Sequence, residues 1–357
     1  MKNLRLCFSG FGAVGQRLAQ LLLEKEVELA EQYGLRVMIT GISTPSRGTL
    51  VDPNGLDIAN ILAQQEKHRH FDMADKGYLA CDVFGMLDAV EADVFCEMST
   101  LSIEDGEPAA SYIEKAFSKG MHVITTNKGP EANCYRKLKR IAEEKGLAYL
   151  FETAVMDGAP VFNFAQECLR GCHILKIQGV LNGTTNYLLE QYEKGVCYDD
   201  AIREAQRMHW AEADPSMDVD GWDGAAKICA LANILMDADT RPSDVERISI
   251  RGVGPSEVCT AANQGKKYKY ICQAEKTPDG IHLSVSPQLL PADSLLCSVN
   301  GNSAAVTFYT DLAGEVTSVL TNGTILQTAY GVYSDMLRLI AQREGLSKGA
   351  CCVEKIL

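Results

Sequence analysis

The chain has 357 residues, 46% of them hydrophobic and 23% charged, a globular composition too long for one average domain. Its 34 basic and 47 acidic side chains give a formal charge of −13. Such a field repels phosphate backbones and anionic lipid surfaces, which argues against nucleic acid or a membrane as partner.

Over the first 150 residues, short β-rich runs alternate with longer helical patterns, which predicts a Rossmann-type, doubly wound parallel sheet of the α/β class. Strands are expected at 4–9, 36–42, 92–98, 122–125 and 148–151. Helices are expected at 14–31, 56–65, 108–119 and 130–145, with Gly120 and Gly146 as stops. Beyond residue 155 the pattern changes to helices near 159–170, 185–194, 198–208 and 222–236, then period-2 runs at 268–275, 281–286 and 304–310. Helices followed by strands indicate an α+β domain whose mixed or antiparallel sheet has one face covered by helices. A last helical pattern at 329–343 is expected to pack back on the first domain. The expected division is therefore a dinucleotide-binding domain over 1–155, completed by 311–357, and a second domain over 156–310.

Thirteen cysteines are odd in number, scattered and mostly set in apolar runs, as at Cys7, Cys96 and Cys229, and read as reduced core thiols. The close sets Cys168/Cys172 and Cys351/Cys352 lack the spacing of a zinc site. The N-terminus has too short an apolar stretch for a signal peptide, and no run of about 18 apolar residues is present. The expected location is the cytoplasm.

Gly10, Gly12 and Gly15 form GxGxxG, with Phe11, Ala13 and Val14 between them, directly after an apolar strand and at the start of a helical pattern. That is the context a dinucleotide fingerprint requires; the bland alternative is a glycine-rich turn without function. Gly10 permits the tight turn, Gly12 lets the backbone approach the pyrophosphate, and Gly15 lets helix and strand pack closely. The helix N-terminus offers N–H groups and positive dipole to the phosphates. An NAD-specific site usually ends its second strand in Asp or Glu, to hold the ribose 2′-hydroxyl. This chain has Ser43-Thr44-Pro45-Ser46-Arg47 there instead. Hydroxyls and a guanidinium fork suit a 2′-phosphate, so NADP is the expected cofactor, with Ser43 and Arg47 as candidates. The alternative is a solvated Arg47 and use of NAD as well. Ser99 and Thr100, after the 92–98 strand, join the cofactor candidates.

Residues 209–236 concentrate Glu212, Asp214, Asp218, Asp220 and Asp223 just before an apolar helix, a density that suits a positively charged ligand. Asp223 and Lys227 lie four apart on one helical face, where an ion pair could hold the ammonium toward a cleft. The competing interpretation is a surface pair of little worth. The apolar surroundings of Lys227, namely Ala225, Ala226, Ile228, Cys229, Leu231 and Ala232, argue against a solvent-facing lysine.

Glu212-Ala213-Asp214-Pro215, followed by Asp218, Gly221, Asp223 and Lys227, resembles the signature of homoserine dehydrogenase. Residues Gly179 to Tyr187 are similar to the family's ILNGTTN segment, Thr125-Thr126-Asn127-Lys128 to its TxNK, and Phe151 to Val155 to the entry into its catalytic domain. The resemblance runs in order from residue 4 to about residue 240. It implies an NAD(P)-dependent enzyme that interconverts L-aspartate 4-semialdehyde and L-homoserine, in threonine, methionine and isoleucine biosynthesis.

Carried over by position, the resemblance implies Lys227 as proton donor to the carbonyl oxygen and Lys128 as a second catalytic lysine near nicotinamide and substrate. Glu212 and Asp218 would bind the substrate amino group, Asp223 would position Lys227, and Gly183 and Thr184 would line the cleft. A monovalent cation, Na+ or K+, would sit at Glu152 and backbone oxygens of Val155, Asp157 and Ala159. The second domain would form a homodimer or a dimer of dimers, with 302–310 contributing.

Two segments depart from the family pattern. Met156-Asp157 stands where small residues are usual, and the glycine-rich turn before the last helix keeps only Gly323, still carried as a cofactor contact. Thr328-Ala329 and Ser334-Asp335 resemble the family's TA and SD positions. These departures admit a paralogue for another small amino-aldehyde or amino-alcohol. A dinucleotide-binding sensor without catalysis is the reading from a different class; intact Lys128, Asp223 and Lys227 argue against it. No regulatory ligand-binding extension or aspartate kinase is expected.

Overall fold

Two sheets organise the chain in a computed structural model, which describes residues 1–68, 70–208 and 210–343. The first contains β1 (Lys2–Ser9), β2 (Leu35–Thr44), β3 (Gly48–Val51), β4 (Tyr78–Leu79), β5 (Val94–Glu97), β6 (His122–Thr125) and β7 (Tyr149–Leu150), in the order β4-β3-β2-β1-β5-β6-β7. From β2 to β7 the pairing is parallel, as the alternating pattern requires. One edge departs from that expectation, because β3 and β4 add antiparallel. β2 therefore runs past residue 42 to Thr44, where Gly48, at a φ of +98°, turns the chain back onto it.

The expected helix at 14–31 is two helices, Ala13–Glu24 and Glu26–Tyr33. The one expected at 130–145 is also two, Lys128–Asn133 and Tyr135–Lys145, because Cys134 leaves helical dihedrals. Leu6, Phe8 and Ile42 pack one face of the sheet against Val332, Tyr333, Met336 and Leu339 of the last helix, Ile325–Arg343. Its apolar stripe docks beside Ala13–Glu24, so the chain returns to the first sheet at its far end. The helix Val83–Ala89, capped by Asp82, was not foreseen.

The second sheet holds β8 (Ile174–Val180), β9 (Glu246–Arg247), β10 (Lys266–Thr277), β11 (Gly280–Pro291), β12 (Ala304–Thr310) and β13 (Gly314–Leu320). Its order is β13-β12-β8-β10-β11-β9, antiparallel except where β9 meets β11. β8 and β13 are corrections to the expected elements. β13 also keeps residues 314–320 in the second sheet, so the return to the first begins with the last helix and not at 311. Ile177, Cys272, Ala274, Val306 and Phe308 point into the core shared with the helices Gly183–Glu193 and Trp222–Leu235. The stretch expected as a helix at 159–170 contains a π-helical turn, Phe164–Cys168. Pro255–Asn263 is a further helix that the sequence pattern did not give.

The described cysteines are free thiols, and Cys351/Cys352 lie outside the described residues. Among the described residues no helix is long and apolar enough to cross a membrane. None of their His, Cys, Asp and Glu side chains gather in threes to hold a metal ion.

Candidate active site

The glycine turn links β1 to the helix Ala13–Glu24. Gly10 has a φ of +90°, and a Cβ there would fall 2.2 Å from the Met98 carbonyl oxygen. A Cβ on Gly15 would lie 2.8 Å from the Gly10 oxygen, whereas one on Gly12 would meet nothing within 4 Å. The turn is thus closed on its inner side and open over Gly12, a cradle that fits a pyrophosphate at a helix N-terminus.

The Gly10 N–H donates to the Ser43 carbonyl at 2.9 Å, which sets the end of β2 beside this cradle. The Ser43 hydroxyl, however, is buried and paired with the Thr49 hydroxyl at 2.7 Å. Arg47 does stand at the turn, its Nη1 donating to Oε1 of the buried Gln65 at 2.5 Å. The Ser99 hydroxyl donates to the buried Glu97, whose carboxyl is raised by burial against the pull of Ser99 and Thr125. Thr100 remains on the cleft wall.

Lys128 begins the helix that leaves β6. Asn127 caps it by accepting from the Gly129 N–H at 3.1 Å, and the Asn127 N–H donates to the Thr125 hydroxyl at 3.0 Å. Lys227 projects from the second turn of Trp222–Leu235. The two lysines converge on one carboxylate: Asp223 Oδ1 lies 3.2 Å from the Lys128 Nζ and Oδ2 lies 3.0 Å from the Lys227 Nζ. All three side chains are about 15% exposed, Lys128 and Lys227 at 16% and Asp223 at 15%. Burial opposes ionisation of Asp223, but the Lys227 and Lys128 ammoniums outweigh it and hold the carboxyl well below its usual range. Burial likewise disfavours the Lys227 ammonium, yet Asp223 raises its pKa above the ordinary lysine value. Lys227 also donates to the Leu181 carbonyl at 2.6 Å, so two of its three N–H bonds are committed and one is left for the cleft.

Asn182 was not foreseen as a site residue. It caps the helix Gly183–Glu193, its Oδ1 accepting from the Thr185 N–H at 2.9 Å. That bond fixes which end of the amide faces the cleft, and Nδ2 donates to Asp218 at 2.7 Å and to Asp223 at 2.9 Å. Burial raises the Asp218 carboxyl, Asn182 lowers it and Asp223 repels its charge. The cleft has a volume of about 1240 Å³ and takes in Thr184, Glu212, Asp218, Asp223 and Lys227. Glu212 is exposed on its rim. Thr184 donates to the Trp210 carbonyl at 3.0 Å, anchoring the acidic segment, and a Cβ on Gly183 would meet the Asn302 Oδ1 at 2.7 Å.

At the expected cation position, both oxygens of Glu152 are committed to backbone N–H donors: Val161 and Phe162 on one, Asn163 on the other. The carboxylate thereby caps the segment that follows. Asp157 has a φ of +47°, and its carboxylate accepts from the Thr328 hydroxyl at 3.0 Å.

Residues 10–152 match the family described as "Homoserine dehydrogenase, NAD binding domain", and residues 160–337 the family "Homoserine dehydrogenase". The chain is 36% identical to a homoserine dehydrogenase of Methanocaldococcus jannaschii, over 92% of this chain and 96% of that one. It is 34% identical to an NAD(+)-dependent homoserine dehydrogenase of Pseudomonas canavaninivorans, over 95% and 97%. A hyperthermophilic archaeal homoserine dehydrogenase solved with NADPH superposes with a TM-score of 0.81 at 26% identity, covering 96% of this chain and 98% of that one. The enzyme from Thiobacillus denitrificans gives 0.82 at 27%, covering 97% and 75%. With both halves matched and relatives of this identity spanning nearly its whole length, the chain belongs to the homoserine dehydrogenase family, NAD(P)-dependent oxidoreductases acting on a CH–OH group.

Proposed function

We propose that this protein interconverts L-aspartate 4-semialdehyde and L-homoserine in amino-acid biosynthesis, with Lys227 exchanging the hydroxyl proton and NADP as the preferred dinucleotide. The observation that carries this is the sharing of Asp223 by Lys227 and Lys128 at the wall of an acidic cleft. A bound nicotinamide supplies the hydride in one direction and accepts it in the other. Asp218 and Glu212 take the substrate ammonium. Lys227 delivers its free N–H to the carbonyl oxygen, and Lys128 adds positive charge where the alkoxide would form. Asp223 and Asn182 keep both the lysine and Asp218 in place.

For the cofactor, the support is the lack of an acidic side chain from Ser43 to Arg47 and the bracing of Arg47 by Gln65. The NAD(+) dependence of the Pseudomonas relative favours a second reading, in which NAD serves as well or better. The partner is a small amino acid, and two copies pair through the second sheet. Support for that comes from the face turned away from the helices Gly183–Glu193 and Trp222–Leu235, where Gln178 bonds Gln273 and Tyr309, and Thr307 bonds Thr317. Size-exclusion with light scattering tests the assembly. Initial rates with homoserine and its homologues against NADP+ and NAD+ test the rest. Turnover of another amino-alcohol with none of homoserine would replace the substrate, and binding of dinucleotide with no turnover would leave only the sensor.

A further inference from the structure

Lys269, on β10, is 2% exposed, yet among the described residues no carboxylate is its direct partner. Its ammonium donates to three neutral oxygens: Asn186 Oδ1 at 2.8 Å, the Val299 carbonyl at 2.5 Å and Asn300 Oδ1 at 3.5 Å. Burying an ammonium against neutral acceptors is costly, and burial indeed pushes its pKa down. Three well-placed acceptors offset part of that cost and in return fix whatever carries them.

Two of them, on Val299 and Asn300, belong to the segment entering β12, and the third, on Asn186, is on the helix Gly183–Glu193. Asn186 donates its amide to the Gly301 carbonyl at 3.0 Å, and Glu190 accepts the Gly301 N–H. Residues 299–301 are thereby held from β10 and from the helix Gly183–Glu193 at once. The next residue, Asn302, makes both backbone bonds of Gly323: its carbonyl accepts the Gly323 N–H at 2.9 Å and its Nδ2 donates to the Gly323 oxygen at 2.7 Å. The other side of Asn302 abuts Gly183. Beyond Gly323 stands Asp157, whose charge also acts on Lys227. The turn that lost its other glycines is docked by a neighbour's amide instead.

We infer that Lys269 is a positioning residue for the dinucleotide site: from inside the second sheet it fixes residues 299–302 so that Asn302 holds the Gly323 turn against the Asn182-Gly183 turn. This rests on the reading of Gly323 as a cofactor contact. Lys269 touches neither cofactor nor substrate and acts only through Asn302.

The test is fluorescence titration of NADPH onto the full-length protein and its Lys269→Met, Asn302→Ala and doubly substituted forms, with thermal melts alongside. Each single change is expected to raise the NADPH Kd by about fivefold, the loss of one or two hydrogen bonds. The double change is expected to be no worse than either, because both break one path. An unchanged Kd in Asn302→Ala overturns the proposal. So does a Lys269→Met protein that melts earlier but binds NADPH normally, or a double variant in which the two losses add. Should Lys269→Met fail to fold, Asn186→Ser, which removes the amide between Lys269 and Gly301, takes its place in the cycle. Homoserine turnover by the unaltered protein checks the underlying reading separately: binding of NADPH without turnover would sink that reading and leave the titration decisive.

Discussion

Lys128, from the exit of a first-sheet strand, and Asp223, on the opening turn of a second-sheet helix, meet at 3.2 Å across the junction between the two halves of the chain. The same carboxylate bonds Lys227, so removing either lysine leaves Asp223 with a partner, whereas removing Asp223 leaves two buried ammoniums facing each other. Lys227→Ala is therefore expected to fold, to bind NADPH nearly as before, and to lose at least the ~100-fold in turnover associated with a general acid. Near-native turnover in that variant would refute its assignment as proton donor.

Asp223→Asn tests the electrostatic half of the same arrangement. Asp223 raises the pKa of Lys227, so the lysine is an ammonium at neutral pH and ready to protonate a carbonyl oxygen. Homoserine oxidation needs the neutral amine, and its rate in the unaltered enzyme should climb as pH rises toward the Lys227 pKa. Losing the carboxylate charge removes what raises that pKa, so the alkaline limb should move to lower pH. Identical pH profiles for the two proteins would show that another group governs the proton.

How far the site could be read from sequence follows from the range of each interaction. The glycine turn and the Asp223/Lys227 pair were legible because each is local, a fingerprint between strand and helix and two side chains one helical turn apart, while Lys128 was reached only through the resemblance of residues 125–128 to the family's TxNK. Asn182 and Asn302 were not, because their roles arise only when β8 and the segment before β12 reach the same end of the second sheet. β8 itself was missed: Gly179, a poor strand former, sits where β10 and β12 pair with it from both sides. The pairing of the Ser43 hydroxyl was hidden for a related reason. The antiparallel return of β3 puts Thr49 opposite its hydroxyl, and nothing in residues 36–42 announces that partner.

Arg47 carries the cofactor preference if Gln65 holds its guanidinium toward the ribose end of the cradle. Arg47→Ala should then weaken NADPH binding by about tenfold, the loss of a charge-assisted contact, and spare NADH. Isothermal titration with both dinucleotides decides it, and equal losses for the two would remove Arg47 from the specificity argument.

Glu131 gives the fold a pH dependence that the reaction does not need. Its carboxyl is fully buried on the helix that Lys128 begins, and Tyr149 on β7 donates to one oxygen at 2.5 Å while the other has no partner among the described residues. Burial pushes its pKa up to about 8, against the lowering effect of the Tyr149 bond. Below the unfolded value near 4.5, both states hold the proton and no penalty arises. As pH rises above that value, the unfolded chain ionises while the folded one does not, so stability falls until the folded carboxyl also ionises near pH 8. Glu131→Gln keeps an acceptor for Tyr149 and removes the titration. Its melting temperature should exceed that of the unaltered protein at pH 8.5 and lose the advantage near pH 5. Asp335, buried and raised to about 7, contributes a loss of the same sign that this substitution leaves in place. A melting-temperature difference that is the same at both pH values would mean that Glu131 does not titrate differently in the folded and unfolded chains.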